Sequence, residues 1–294
     1  MTSDGKHIDK RPELVVEDLN VRFLTGGMPV DAVRNVSFRL GSEKLGVVGE
    51  SGSGKSTLGR AILKLTPRMA EIRAKQLSFG DLDLLAASEA EMTRLRGKQM
   101  GMILQDPKYS LDPTMKVGEQ IAEAVRLHRR ERSRAARDYA LHMLELVQIR
   151  NPARVYDLYP HEISGGMGQR VMIATTLVAE PRLIIADEPT SALDVTVRRQ
   201  LLALLEQLVA DRGIGLLFVT HDLDLAQGFC DRVLIMYAGQ VLEDVAASAL
   251  EEAQHPYTQG LLASRPRLDR KVDRLPVLKR DPAWRNAIQK GAAA

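Results

Sequence analysis

Short apolar runs alternate along the chain with longer segments whose apolar residues recur at helical spacing. Residues 14–23 alternate between apolar and polar side chains, as a half-buried strand does, and residues 36–40 and 44–48 are predicted to be strands as well. Three further apolar runs, typical of buried parallel strands, are residues 183–186, 216–220 and 233–237. A membrane-spanning helix needs about 20 apolar residues, so we expect no membrane span.

Amphipathic helices are predicted between these strands. One begins near Lys55 and ends before Pro67, and two more cover residues 197–210 and 223–229. Alternation of strands and helices at this spacing predicts an α/β domain with a parallel sheet.

The middle of the chain has a different pattern. Residues 89–164 are rich in helical periodicity and poor in strand signals. We interpret this region as a helical subdomain inserted into an α/β domain that covers residues 14–264. Residues 1–13 are expected to be an N-terminal extension. Residues 265–294, with several prolines and many charges, are expected to be an extended or loosely ordered basic tail.

The charge distribution bears on the class of partner. The chain has 41 Lys and Arg against 38 Asp and Glu, a formal charge of +3. The tail alone carries nine Lys and Arg against three Asp, so the rest of the chain is net negative. A nucleic-acid-binding fold usually presents a concentrated basic surface, so we expect no nucleic acid partner. The single cysteine, Cys230, excludes an internal disulfide and a cysteine-based metal cluster, and fits a reducing cytosol.

Residues 49–56 read GESGSGKS and match the phosphate-loop pattern GxxxxGK[ST]. The glycines let backbone N–H groups point at phosphate oxygens, and the following helix adds the positive end of its dipole. Lys55 would reach the β- and γ-phosphates, and the Ser56 hydroxyl would ligate Mg²⁺. The residues expected to bind the nucleotide here are Gly49, Glu50, Ser51, Gly52, Ser53, Gly54, Lys55, Ser56 and Thr57.

A second candidate site lies at residues 183–189, which read LIIADEP. A buried strand that ends at Asp187 places a carboxylate where Mg²⁺ binds in a doubly wound sheet. Glu188 follows immediately and points in a different direction, where it could act as the general base for an attacking water.

Residues 163–170 read ISGGMGQR. With the phosphate loop before this segment and LIIADEP after it, the chain resembles the ATP-binding cassette of ABC transporters over about residues 14–266. The resemblance implies a phosphate-loop NTPase fold with a parallel-sheet core, an N-terminal antiparallel β subdomain and an inserted helical subdomain. Ser164, Gly165 and Gly166 resemble the signature motif, which in this family contacts the γ-phosphate of ATP held by the opposing subunit. A serine and two glycines that open a helix also form an anion-binding N-terminus.

The resemblance implies further site residues, which occur along this chain in the same order as in the family. Gln105 resembles the Q-loop glutamine, which senses Mg²⁺ and the attacking water and connects to the transmembrane partner. Asp194 belongs to a segment that resembles the D-loop, and His221 resembles the switch histidine that contacts the γ-phosphate. Phe23 matches the aromatic that stacks on adenine.

Longer matches resemble the peptide and nickel importer branch of the family. The segments that match are QDPKYSLDPTMKVGEQIAE from Gln105, YPHEISGGMGQRVMIA from Tyr159 and HPYTQGLLAS from His255. Gly168 departs from the pattern, because the branch customarily has Arg there. Many peptide importers also carry a C-terminal cysteine cluster, which this chain lacks. Peptide import is expected from these matches, and the missing cluster leaves nickel, metallophore or opine-type import open as alternatives.

The resemblance also implies partners and a location. We expect a head-to-tail dimer with a second ATPase subunit, a different chain, docked on two transmembrane permeases and served by an extracytoplasmic solute-binding protein. The subunit would lie peripherally on the cytoplasmic face of the inner membrane and use ATP and Mg²⁺. Two rival hypotheses are a non-transport cassette ATPase and a regulatory module that holds nucleotide without turnover. Tandem cassettes and coiled-coil insertions, typical of the first, are absent from this sequence, and Glu188 and His221 argue against the second.

Overall fold

The computed structural model describes residues 13–24, 27–191, 193–265, 278 and 280–286. The strands in this part of the chain are β1 (Leu14–Phe23), β2 (Val30–Leu40), β3 (Lys44–Val48), β4 (Ala70–Arg73), β5 (Gln76–Phe79), β6 (Leu82–Asp83), β7 (Met100–Ile103), β8 (Leu183–Asp187), β9 (Gly215–Thr220), β10 (Arg232–Tyr237) and β11 (Gln240–Ala246). The helices are α1 (Lys55–Ile62), α2 (Glu89–Leu95), α3 (Val117–Arg129), α4 (Ser133–Leu146), α5 (Pro152–Tyr156), α6 (Gly165–Leu177), α7 (Val195–Arg212), α8 (Leu223–Phe229) and α9 (Pro256–Ala263). Short 3₁₀ turns lie at Pro107–Tyr109, Pro160–Glu162, Ala247–Glu252 and Pro282–Asn286.

A mostly parallel sheet with the strand order β11-β10-β3-β9-β8-β7 positions the candidate site. β8 and β9 are buried along their whole length, as their continuous apolar sequences predict. The register sets Val48 opposite Thr220, and Asp187 opposite Val219. The carboxyl ends of β3, β9 and β8 therefore meet at one edge of the sheet, and the residues that follow these strands are neighbours.

The apolar core lies on both faces of this sheet. Successive side chains of a strand point to opposite faces, so Val48 and Ile184 pack with the helical region while Val47 and Ile185 pack with α1 and the second sheet. The alternation explains why these strands have almost no polar positions.

The second sheet is antiparallel and has the strand order β2-β1-β5-β6, with β4 also paired to β1. Leu14 pairs with Leu40 on one side and with Phe79 on the other. The α/β cassette with an N-terminal antiparallel sheet, expected from the resemblance, is thus present. The strand expected at residues 36–40 begins earlier, at Val30, and β4, β5 and β6 were not predicted because each is only two to four residues long.

The helical region contains α3, α4 and α5, which pack on one another, and α3 and α4 also pack against α6. The sequence places the start of the helical subdomain near residue 89, and that boundary remains a prediction. Strand β7 lies within the predicted range of 89–164 and pairs in parallel with β8. The run of helices without an intervening strand therefore begins with α3, at Val117. Among the described residues, no helix is both long and apolar enough to cross a bilayer.

Helix α1 is shorter than predicted. It ends at Ile62 rather than near Pro67, because Lys64 adopts a left-handed conformation with φ of 50°. The N–H of Leu65 then donates to the carbonyl of Arg60, 2.8 Å away, which closes the helix end in a Schellman-type turn.

Part of the basic tail is folded against the domain, which differs from the extended or loosely ordered tail expected. Trp284 packs edge-on against Tyr237, His255 and Tyr257, with ring centroids 5.8 to 6.1 Å apart. Aromatic packing of this kind buries large apolar areas and holds a segment in place. Most of residues 265–294 and nearly all of residues 1–13 lie outside the described residues.

Candidate active site

The phosphate loop joins β3 to α1, as predicted. Gly54 caps α1 with φ of 100° and ψ of 0°, a conformation that side chains rarely adopt. A Cβ atom at Gly54 would also collide with the carbonyl oxygen of Ala32, and one at Gly49 would collide with that of Met236. The two glycines thus allow the loop to pass close to neighbouring backbone, with α1 starting directly behind it.

Lys55 lies beneath this loop. Its side chain is buried, and its Nζ donates hydrogen bonds of 2.8 Å to the carbonyl oxygens of Gly49 and Glu50. Burial lowers the pKa of the Lys55 ammonium, while the carboxylates around it, led by that of Glu188, oppose the shift. A cation in this position can neutralise charge on a phosphate that the loop binds.

Ser56 and Asp187 contact each other at the start of α1 and the end of β8. The Ser56 hydroxyl donates a hydrogen bond of 2.6 Å to Asp187 Oδ1. Asp187 is only 3% exposed, and burial raises the pKa of its carboxyl. The exposed guanidinium of Arg60, which was not singled out from the sequence, lies 3.8 Å from Asp187 Oδ2.

Glu188 follows Asp187 but points elsewhere, because its backbone is left-handed with φ of 46°. Its N–H donates to the carbonyl of Val219, 3.0 Å away, which ties it to β9. The Oε2 atom accepts a hydrogen bond of 3.3 Å from Gln105 Nε2 and lies 3.2 Å from His221 Nδ1. Gln105, Glu188 and His221, which follow β7, β8 and β9, are thus brought together.

The candidate signature residues open α6. Ser164 caps the helix, and its Oγ accepts a hydrogen bond of 3.3 Å from the N–H of Met167. A Cβ at Gly165 would meet no atom within 4 Å, so the backbone there faces open space. Asp194 caps α7 in the same way, by accepting a bond of 2.9 Å from Val197. Neither cap is hydrogen-bonded to the phosphate loop in the described part of the chain.

Gly168, the departure noted in the sequence, lies in α6 against the turn that follows Gln105. A Cβ at this position would lie 3.2 Å from Cγ and 3.3 Å from Cβ of Pro107. The side chain of Gln169 reaches the same segment and donates a bond of 3.3 Å to the carbonyl of Leu104. The absence of a side chain at Gly168 therefore lets the turn pack closely on α6.

The remaining candidate residues lie at the end of β1, in the phosphate loop and in α1. Phe23 is half-buried at the end of β1, where it pairs with Val30 and Ala70. Ser51 and Gly52 are exposed at the tip of the phosphate loop, and Thr57 is half-buried in α1. The Ser53 hydroxyl is buried and has no hydrogen-bond partner among the described residues, so it remains a donor for a ligand.

The contacts of Glu50 with the C-terminal part of the chain were missed by sequence reasoning. The N–H of Glu50 donates a hydrogen bond of 3.3 Å to Tyr257 Oη, and its carboxylate accepts from Arg280. The segment HPYTQGLLAS, which contains Tyr257, was noted only for its resemblance to the importer branch. No local sequence pattern connects Tyr257 or Arg280 with Glu50, because they lie more than 200 positions apart.

Comparison with known proteins identifies the family. Residues 33–191 match the family described as ABC transporter. The chain is 47% identical over 259 residues to the oligopeptide transport ATP-binding protein OppD of Bacillus subtilis (strain 168). The aligned region covers 87% of this chain and 72% of that protein. It is 44% identical over 269 residues to the glutathione import ATP-binding protein GsiA of Salmonella choleraesuis (strain SC-B67). Here the aligned region covers 89% of this chain and 43% of that protein.

A solved structure shares the fold. It is the dimeric post-hydrolysis state of the ATP-binding cassette MJ0796 bound to ADP and Pi, with a TM-score of 0.70, 26% identity, and coverage of 80% of this chain and 98% of that chain. The family match spans the phosphate loop, Gln105 and the strand that ends at Asp187. The chain belongs to the ABC transporter family and is one of its ATP-binding, ATP-hydrolysing subunits.

Proposed function

We propose that this subunit hydrolyses ATP at the edge of the parallel sheet and thereby drives import of peptides or a related small solute. The observation that carries the proposal is the convergence of Gln105, Glu188 and His221 within 3.3 Å, next to the phosphate loop. A carboxylate, an amide and an imidazole at one point can position and deprotonate a water that attacks a bound phosphate.

The site residues divide the chemistry between them. The loop from Gly49 to Thr57 binds the triphosphate through backbone N–H groups, and Lys55 neutralises charge on its terminal phosphates. Glu188 accepts the proton of the attacking water, and Gln105 orients that water. His221 donates a hydrogen bond to the γ-phosphate as negative charge develops there. Phe23 stacks on the base.

The chemistry of the donor set fits Mg²⁺. A hydroxyl and a carboxylate that already contact each other, Ser56 and Asp187, are oxygen donors of the kind that Mg²⁺ prefers. Gln105 would add an amide oxygen. When bound, Mg²⁺ neutralises charge on the β- and γ-phosphate oxygens.

Dimerisation completes the site in this proposal. Ser164, Gly165 and Gly166 open α6 and would form an anion-binding helix start, and at Gly165 the backbone faces open space. They would bind the γ-phosphate of ATP held by a second ATPase subunit, with Asp194 at the interface. We propose a head-to-tail pair with a different chain, as expected from the sequence.

A groove beside the Gln105 segment is the proposed permease site. Its volume is about 320 Å³, and its lining includes Leu104, Leu111, Ala124 and Met172. A mainly apolar groove between the sheet and the helical region suits a short helix of a membrane partner. Two permeases would hold the subunit peripherally on the cytoplasmic face of the membrane and link it to an extracytoplasmic solute-binding protein. Nucleic acid has no part in this proposal.

The relatives support a peptide substrate, because their names refer to oligopeptide transport and glutathione import. Nickel, metallophore or opine-type import remains the alternative substrate class, since the substrate is selected by the binding protein and permeases. A non-transport ATPase is the alternative of a different kind.

Gentle purification of the subunit from its native membranes, followed by mass spectrometry, tests the proposal. We expect a second ATPase and two multi-spanning permeases to copurify. Ala124→Glu should release the permeases by placing a charge in the groove, whereas Ala135→Glu, at an exposed position of α4, should retain them. A soluble, active particle without permeases would contradict import.

A further inference from the structure

The C-terminal segment contacts the phosphate loop at Glu50. Arg280 Nη2 lies 2.7 Å from Glu50 Oε1, and Arg280 Nε lies 3.3 Å from Glu50 Oε2. The guanidinium thus donates to both oxygens of one carboxylate, the two-point arrangement that fixes orientation as well as distance. Glu50 is the second residue of the loop, so this contact joins the end of the chain to the nucleotide site.

Glu50 is also held through its backbone. Its N–H donates to Tyr257 Oη at 3.3 Å, and its carbonyl accepts the 2.8 Å hydrogen bond from Lys55 Nζ. The carboxylate, the N–H and the carbonyl of one residue are therefore all engaged. A shift of the Glu50 side chain would be transmitted through its backbone to the amine of Lys55.

The segment that carries Arg280 is anchored independently of this contact. We call Leu278 and residues 280–286 the C-terminal strap. Trp284 of the strap packs against the rings of Tyr237 and Tyr257, and Leu278 packs so closely on Gly260 that any side chain there would collide with it. Asp281 turns the strap by accepting a bond of 2.8 Å from the N–H of Ala283. Arg280 therefore extends from a fixed base.

The opposite charges of Glu50 and Arg280 bear on ATP binding. A carboxylate in a phosphate-binding loop is a like charge to its ligand, and such repulsion weakens binding. Arg280 supplies the opposite charge at hydrogen-bond distance. Its presence both neutralises Glu50 and keeps the carboxylate turned toward the strap.

We propose that Arg280 is a positioning residue, through which the C-terminal strap holds the phosphate loop in its ATP-binding shape. The inference rests on the proposed function only in that ATP binds at this loop. It adds the strap, which no site motif includes, to the determinants of ATP affinity.

The test compares Arg280→Gln with Arg39→Gln in the full chain. Arg39 is a matched control, because its side chain is 62% exposed against 60% for Arg280 and pairs with Glu13 at 3.5 Å and Glu17 at 3.8 Å, neither of which belongs to the phosphate loop. We expect Arg280→Gln to raise the KM for ATP about two- to fivefold, the range for an exposed pair, with kcat within about twofold. Arg280→Lys should restore part of the affinity, since it keeps the charge but loses the fork.

Tryptophan fluorescence gives a second readout, because Trp284 is the single tryptophan of the sequence. ATP should shift its emission in the native chain and shift it less in Arg280→Gln. An unchanged KM in Arg280→Gln would overturn the inference, as would a loss of kcat together with a Tm below that of Arg39→Gln, which would indicate general destabilisation. Failure of the native chain to bind ATP would instead contradict the proposed function itself.

Discussion

The imidazole of His221 and the carboxylate of Glu188 lie 3.2 Å apart, measured from Nδ1 to Oε2, at the ends of neighbouring parallel strands. His221 is 60% exposed and Glu188 18% exposed, so the pair is accessible from the surface. Gln105 approaches the same oxygen from β7. Three strand ends therefore bring together the side chains of the proposed hydrolytic cluster.

Replacement of His221 by Ala should slow hydrolysis and spare binding. Loss of a group that stabilises developing charge typically costs about 10²- to 10³-fold in kcat. Steady-state phosphate release and equilibrium ATP binding measure the two effects. His142→Ala, at an exposed position of α4, is the control and should match the native rate. A native rate in His221→Ala would remove His221 from the mechanism.

Chelation of Mg²⁺ should abolish turnover, and Ser56→Ala should increase the Mg²⁺ requirement. The Ser56 hydroxyl is one of the two oxygen donors in contact at this site, so its loss should raise the half-saturating Mg²⁺ concentration by at least about tenfold. A titration of activity against free Mg²⁺ measures this shift. Ser133→Ala, at an exposed position of α4, should leave the titration unchanged. Equal Mg²⁺ curves for both variants would argue against the proposed site.

Much of this cluster is predictable from the sequence because its geometry follows from strand ends. Once residues 44–48, 183–186 and 216–220 are identified as parallel strands, the residues after them must meet at one edge. The predicted bounds of β1, β3 and α8 agree with the structure.

Other features depend on contacts that no local pattern encodes. β7 was missed because MGMI is a four-residue run inside a region of helical periodicity, and only pairing with β8 makes it a strand. The strap was missed because Trp284 is an isolated aromatic in a charged segment. Its partners lie in β10 and at the start of α9, distant in sequence.

Gly54→Ala should disable the phosphate loop. The φ of 100° and the collision with Ala32 both oppose a side chain there, and strain of this kind costs on the order of 1–3 kcal/mol. We expect loss of ATP binding and a lower Tm by calorimetry. Gly41→Ala is the matched control, because its added methyl would meet no atom within 4 Å. Native ATP affinity in Gly54→Ala would show that the loop tolerates another shape.

Cys230 should resist alkylation in the native chain. Burial raises the pKa of its thiol to about 12, so at pH 8 the thiol is protonated and lacks the thiolate that reacts. Mass spectrometry after iodoacetamide treatment should find no label on the folded protein and one label after unfolding in urea. Labelling of the folded protein at the rate of an unfolded control would contradict the burial of Cys230 behind β3.

Glu188 is the proposed base that activates the attacking water. Its most direct test is ATP turnover by Glu188→Gln, measured beside ATP binding, with Glu180→Gln at an exposed position as the control. Loss of a general base costs about 10²- to 10⁴-fold, so we expect turnover to fall by at least about 100-fold while ATP affinity stays within about twofold. Unchanged turnover in Glu188→Gln would contradict the account.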